Sequence, residues 1–272
     1  NRVMVVELAL PALVPGLLVA IHYAVQITRP RMGFGSDRSG RCTPWILGGM
    51  AVLALGGTLA AVATAWAASE RVAGLALAAL AFFLVGLGVS ACGTSLLVLL
   101  AKRVAPERRA PAATIVWMLM IVGFAVTAGL AGKWLEPYSG ERLVSVSGSV
   151  SLIACAVALL ALWRLEGEGG APAEPEARLR FFDALRQVWQ ESAARRFTVF
   201  VFMSMLAFSA QDLILEPFAG TVFGLTPGAT TQLSGLQHGG VLAGMIAAAL
   251  AGSRWHITLL FHEIYPLYLM IK

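Results

Sequence analysis

The chain has 272 residues, 58 % of them hydrophobic and only 13 % charged, and its mean hydropathy is +0.78. A soluble domain carries roughly 25 % charged residues, so this composition excludes an ordinary soluble globular protein and points to an all-α, polytopic membrane protein. The net charge of +5 is then not a nucleic-acid signal and should resolve into an asymmetry between loops. Cys42, Cys92 and Cys155 are widely spaced and suggest neither a disulfide framework nor a zinc site.

A helix needs about 20 mainly apolar residues to cross a bilayer. Residues 1–8 read as the last turns of a first span that begins before Asn1. Complete spans are expected at 10–28, 46–68, 73–101, 111–134, 144–164, 197–224 and 231–253. The connections between them alternate in charge. The stretches 29–44, 102–110 and 164–196 carry four, four and six Arg or Lys, whereas the remaining links carry only Arg71, Lys133 and Arg142. The positive-inside rule puts the basic set on the cytoplasmic side.

The chain divides into residues 1–164, a six-span N-terminal half; 165–196, a cytoplasmic linker; 197–253, the first two spans of a second half; and 254–272. The linker opens acidic and flexible over 165–177. It ends in RLRFFDALRQVWQESAARR, where Phe181, Phe182, Leu185, Val188 and Trp189 recur at helical spacing. That amphipathic helix either lies on the cytoplasmic membrane face or packs on its own domain. Residues 255–272 contain neither Ala nor Gly. We expect 254–272 to be a non-native tail, and assign no role to His256, His262 or Glu263. Six spans, a long linker and then further spans is the layout of a six-plus-six transporter.

Between the second and third spans, Gly33-Phe-Gly-Ser-Asp37-Arg38-Ser-Gly40-Arg41 resembles the signature loop of the major facilitator superfamily. Gly33 and Gly40 permit a tight turn and close helix approach. Asp37 can cap a helix or pair with an arginine of a neighbouring loop, and Arg38 and Arg41 hold the loop at an anionic surface. Cys42 stands where the superfamily pattern has a second basic residue. The role expected of this loop is gating.

Charges inside spans are costly, by about 2.5–3.5 kcal/mol on insertion scales, and normally face a bundle interior. Arg2 and Glu7 lie in the first span. Asp212 and Glu216 lie one turn apart in the seventh, next to Gln211, within FSAQDLILEPFAG. We expect Arg2 to face Asp212 or Glu216 across a cavity, and Pro217, backed by Gly220 and Gly224, to kink the seventh span. His22 and His238 occupy the second and eighth spans. Either could ligate the magnesium of a chlorin, hydrogen-bond a carbonyl, or make a helix–helix hydrogen bond. Thr94, Ser95, Trp117 and Gln237 are further lining candidates, and Gly86, Gly88 and Gly93 are close-packing positions.

Taken together, NRVMVVEL with its Pro-containing link, GFGSD-x3-R-x2-PW, VAPERR and QDLILEPFAG resemble the PucC family of phototrophic bacteria, a branch of the major facilitator superfamily that also takes in LhaA and the bacteriochlorophyll synthase 44.5 kDa chain. Asn1, Arg2 and Glu7 match its first-span signature; Gln211, Asp212, Glu216 and Pro217 match the seventh-span one. Lys102-Arg103 departs from an acidic residue expected there, and His22-Tyr23 suggests the synthase-named branch. The resemblance implies a twelve-span fold of which this chain carries about eight spans. It implies a multi-pass protein of the bacterial inner or photosynthetic membrane that assists light-harvesting antenna assembly, with bacteriochlorophyll as cargo and antenna polypeptides and the lipid bilayer as partners. No permanently bound cofactor, catalytic residue, metal site or nucleic acid is expected. The alternative is a proton-coupled transporter of a small solute, with Asp212 and Glu216 as proton sites. An enzyme joining a chlorin to a prenyl diphosphate would hold magnesium with aspartate-rich motifs, and the sequence has no DxxxD cluster.

Overall fold

The computed structural model describes residues 2–166 and 181–254. Asn1, most of the acidic linker and the expected tail lie outside that range. Among the described residues all regular structure is helical: α1 (Arg2–Val6), α2 (Leu13–Val25), α3 (Arg29–Arg38), α4 (Thr43–Trp66), α5 (Arg71–Arg103), α6 (Arg109–Trp134), α7 (Gly140–Leu162), α8 (Phe181–Gln190), α9 (Ser192–Phe223) and α10 (Pro227–Arg254), with short 3-10 turns at Gln26–Thr28 and Pro106–Arg108. Helices satisfy their own backbone polar groups, which is what a hydrocarbon surround demands. Five of them, α4, α5, α6, α7 and α9, combine the length and apolarity needed to cross a membrane. Large apolar side chains point outward along them, with Leu152 and Leu160 each 73 % exposed, as suits a surface covered by lipid rather than water. The chain is a multi-pass membrane protein.

Two expectations need correction. The expected span 10–28 forms only the 13-residue α2, about 20 Å long. The signature segment 29–41 is mostly helix rather than connection: α3 runs from Arg29 to Arg38. Pro30 sits in its first turn, where the missing N–H is no loss. The tight turn falls at Gly40, whose φ is +74°.

Small residues set the packing. A Cβ on Gly49 would lie 2.5 Å from the Cys92 nitrogen, and one on Gly88 would lie 2.5 Å from the Leu53 nitrogen, so α4 and α5 meet backbone to backbone. Gly86 is pressed on the His22 carbonyl in the same way (2.7 Å), but Gly93 faces open space, so it is not a packing position. α4 also meets α7, where Cys155 Sγ donates to the Met50 carbonyl at 3.6 Å. α6 meets α10 along Gly132 and Gly235: an added Cβ would lie 3.0 Å from the Gln232 nitrogen or 3.1 Å from the Ala125 carbonyl. α8 exposes Phe182, Leu185, Val188 and Trp189, while Phe181 stacks edge-on against Phe34 of α3 at 5.7 Å.

Glu166 corrects the reading of the linker. It is 5 % exposed, and its carboxylate accepts hydrogen bonds from the backbone N–H groups of Cys42 (2.5 Å) and Thr43 (2.8 Å). No side chain within the 42–43 segment caps α4, so a residue 123 positions away supplies the negative charge that a helix N-terminus favours. Burial pushes the Glu166 carboxyl upward, but the hydrogen bonds from Cys42 and Thr43 outweigh it and hold it below the ordinary 4.5. The contribution to stability is therefore complete above pH 4.5 and is lost as pH falls through the depressed value. Glu166→Gln should lose about 1 kcal/mol of stability at neutral pH and flatten the acid side of a thermal-unfolding profile taken against pH. Gly88→Val should cost about 3 kcal/mol or more by forcing α4 from α5, read as lost monodisperse yield in detergent.

Candidate functional site

Depth decides which charged groups can meet. At 1.5 Å per residue, Arg2 lies about 6 Å from the end of α1 at Val6, and Gly220 lies about 5 Å from the end of α9 at Phe223. Glu216 and Asp212 lie about 10 and 17 Å from that same end. Arg2 is accordingly level with Gly220: a Cβ on Gly220 would sit 3.0 Å from Arg2 Nε and 2.9 Å from Val6 Cγ2. The expected pairing of Arg2 with Asp212 or Glu216 is not formed. Arg2, 4 % exposed, makes an ion pair with Glu7 and donates to the Leu225 carbonyl in the α9–α10 turn.

More polar groups gather at this end of the bundle. Thr226 donates its hydroxyl to Glu136, and Arg142 donates to the Glu136 carbonyl. Burial, with the Glu7 carboxylate adding to it and Arg2 opposing, raises the Tyr138 phenol. Helices that precede residues 167–180 are thus joined to α9 and α10 by Arg2–Leu225 and Glu136–Thr226. Sequence reasoning missed Glu136, Thr226 and Leu225 because each sits in a short link with nothing unusual about it; only a count of helix lengths from each link would have set them at one level.

The α9 carboxylates turn toward α10 instead. Glu216 accepts from Ser234 Oγ at 2.7 Å, and Asp212 accepts from Gln237 Nε2 at 3.3 Å. The levels match: Ser234 and Gln237 lie about 10 and 15 Å from the start of α10 at Pro227. His238 Nδ1 bonds the Ser234 carbonyl at 2.7 Å, and its ring packs edge-on against Phe124 of α6 at 5.3 Å. Asp212, Glu216, Ser234, Gln237 and His238 therefore form one polar ladder, flanked by an α6 aromatic. Gln211 is exposed and makes no hydrogen bond among the described residues. α9 continues helically through Pro217, and Thr221 bonds the Pro217 carbonyl at 2.9 Å.

His22 is placed differently. Its Nε2 lies 2.7 Å from Gln26 Nε2, while its Nδ1 is buried without a partner. With the amide as donor, Nε2 accepts and the ring proton sits on Nδ1. Neither nitrogen is open to a ligand. Its neighbour Tyr23 donates to Ser209 Oγ of α9 at 3.1 Å, which bridges α2 and α9. Thr94 and Ser95 do not line a cavity: Thr94 Cγ2 would meet a Cβ on Gly33 at 2.7 Å, and Ser95 is fully buried.

At the basic end, Gly33 and Gly40 have separate duties, close approach to α5 and the turn. Asp37 lies in the last turn of α3, so it caps no helix start. It pairs with Lys102 Nζ at 3.0 Å, and the same ammonium bonds the Asp37 carbonyl at 3.3 Å. Lys102, which stands where an acidic residue is expected, is thus the partner of Asp37. Arg38 and Arg41 are exposed, and their side chains make no ion pair among the described residues. Beside this loop a groove of about 470 Å³, lined by Met32, Pro44, Trp45, Gly48, Leu84 and Leu87 among others, contains none of the expected site residues.

Depth matching predicts which pairs are coupled. In double-mutant cycles read by thermal unfolding in detergent, Arg2→Gln with Glu7→Gln should couple by about 0.5–3 kcal/mol, whereas Arg2→Gln with Asp212→Asn should add to within about 0.5 kcal/mol.

A family model described as PUCC protein matches residues 1–258. The bacteriochlorophyll synthase 44.5 kDa chain of Rhodobacter capsulatus is 52 % identical over 251 residues, 92 % of this chain and 59 % of that protein. Protein PucC of Rhodovulum sulfidophilum is 29 % identical over 93 % of this chain and 60 % of that protein, and Protein PucC of Cereibacter sphaeroides is 30 % identical over 92 % and 57 %. The chain thus spans about three-fifths of the length of these relatives. No solved structure matches it. The family match runs from the Arg2 end through the α9 carboxylates and beyond α10, covering every element described above, and the chain belongs to the PUCC protein family.

Proposed function

We propose that the protein assists assembly of light-harvesting antenna complexes by delivering or shepherding bacteriochlorophyll, as an accessory factor and not a synthase. The observation that carries this reading is the ladder Asp212–Gln237 and Glu216–Ser234 with His238. It is a polar strip at mid-membrane depth with aromatic and apolar neighbours, in a chain whose 52 % identical relative has bacteriochlorophyll in its name. Such a strip suits an amphiphile with a polar ring system and a hydrocarbon body. In this reading the fold is that of the major facilitator superfamily, the basic end is cytoplasmic in a bacterial inner or photosynthetic membrane, and the Arg2–Leu225 and Glu136–Thr226 bridges close the opposite end between two halves. The Asp37–Lys102 pair belongs to the gate at the basic end.

Asp212 and Glu216 also support the second reading, a proton-coupled transporter of a small solute, because carboxylates in a membrane serve as proton sites. The test uses the full-length protein, mildly solubilised from a phototrophic host and affinity-purified. Near-infrared absorption should show stoichiometric bacteriochlorophyll, reduced severalfold in Asp212→Asn. Pigment-free protein that still retains antenna polypeptides would favour a chaperone of the polypeptides alone. Pigment-free, partner-free protein with uptake that collapses with the proton gradient would move the transporter reading ahead.

A further inference from the structure

Of the two histidines in the described helices, only His238 presents a nitrogen to a ligand. Its Nδ1 is 2.7 Å from the Ser234 carbonyl oxygen. A carbonyl oxygen only accepts, so Nδ1 carries the proton and the lone pair of the neutral ring is on Nε2. Nε2 makes no hydrogen bond among the described residues, and His238 contributes no atom to the buried polar groups that lack a partner; Nε2 therefore reaches open space. A ring N–H anchored to a backbone carbonyl is how proteins fix the tautomer and aim of a metal-ligating histidine. Phe124 holds the ring from the side, with its plane at 78° to the imidazole.

The neighbouring surface suits a large flat ring. Trp117, Met120 and Phe124 of α6 are 51 %, 38 % and 48 % exposed. Their spacing of three and four residues puts them on one face of the helix. His238 lies about 17 Å from the start of α10 and Phe124 about 15 Å from the end of α6, near the middle of a hydrocarbon layer about 30 Å thick. There water is scarce as a competing ligand. Asp212 and Gln237 stand one level away on the same ladder, where they can meet polar substituents at a ring's edge.

We infer that His238 Nε2 is the axial ligand for the central magnesium of a chlorin whose macrocycle rests against the Trp117–Met120–Phe124 face of α6. This rests on the pigment-handling reading above and adds to it a coordinating atom and a seat. The bond forms by donation of the Nε2 lone pair to magnesium already held by the macrocycle, with no proton or electron transferred.

The full-length protein in detergent would be titrated with bacteriochlorophyll and, separately, with its magnesium-free counterpart, and the magnesium coordination read by resonance Raman. Wild type should bind the magnesium pigment with an axial nitrogen and prefer it by at least about tenfold, the lower end of what disturbing a metal's shell costs. His238→Ala should abolish that preference and the axial-nitrogen signature, and added imidazole should restore both. His238→Gln, which keeps a donor for Ser234, should lose the nitrogen signature while remaining folded. His22→Ala should change neither. Equal affinity for the two pigments in wild type, or an unchanged axial nitrogen in His238→Ala, would overturn the assignment while leaving pigment handling intact. Binding of neither pigment by wild type would overturn the pigment-handling reading and this inference with it.

Discussion

In a bundle of membrane-crossing helices, a polar group can be satisfied only by a group at its own depth. Water is not there to fill a gap, and an unpaired polar atom in hydrocarbon costs several kcal/mol. That constraint sorts the polar pairs at the Arg2 end from those along α9 and α10. Arg2 meets Leu225 because both lie near one end. Glu216 meets Ser234, and Asp212 meets Gln237, because α9 and α10 run back from a shared turn and their residues descend in step. The same descent brings His238 level with Phe124 of α6.

Depth matching works only if the helices stand close enough for short side chains to reach. The glycines provide that. Gly49 and Gly88 let α4 and α5 approach backbone to backbone, and Gly132 and Gly235 do the same for α6 and α10. Apolar attraction does not hold such helices together, since lipid tails are as apolar as leucine; close van der Waals packing over small residues does. The large side chains turn outward, as Leu152 and Leu160 do on α7. The polar ladder on α9 and α10 is therefore held beside α6 by a seam of glycines, with Gly132 packed on Gln232 and Gly235 on Ala125.

Much of this was legible in the sequence, for reasons that differ by element. The long helices α4 to α7 and α9 announce themselves by unbroken apolarity, and α8 by its periodicity. Gly33, Gly40 and Gly88 behave as a small residue must where backbones crowd or turn. Asp212 and Glu216 stood out because charge is rare in such surroundings. Their partners did not, because Ser234 and Gln237 look like any polar residues in a weakly apolar helix, and partnership is set by a neighbouring helix rather than by spacing along the chain. The pairing of Arg2 with the α9 carboxylates is attractive on charge alone, but Asp212 lies about two turns deeper, and Glu216, the nearer of the two, is held by Ser234 of α10. α3 has the polar sequence of a connection, yet Pro30 in the first turn and contact with α5 suit it to a helix. Glu166 looked like one more acid in a flexible run until the bare start of α4 was set beside it.

The Glu166 contact has a consequence for where the protein can be divided. α4 begins on backbone donors that are satisfied from beyond the end of α7, so α1 to α7 are complete only when the chain continues through residue 166. Two polypeptides made by separating the chain just after Leu162 would leave the N-terminus of α4 with its amides unmet. Separation a few residues later would leave that terminus whole. The edge of the first structural unit is thus set by an electrostatic contact, and not by the last turn of the last helix.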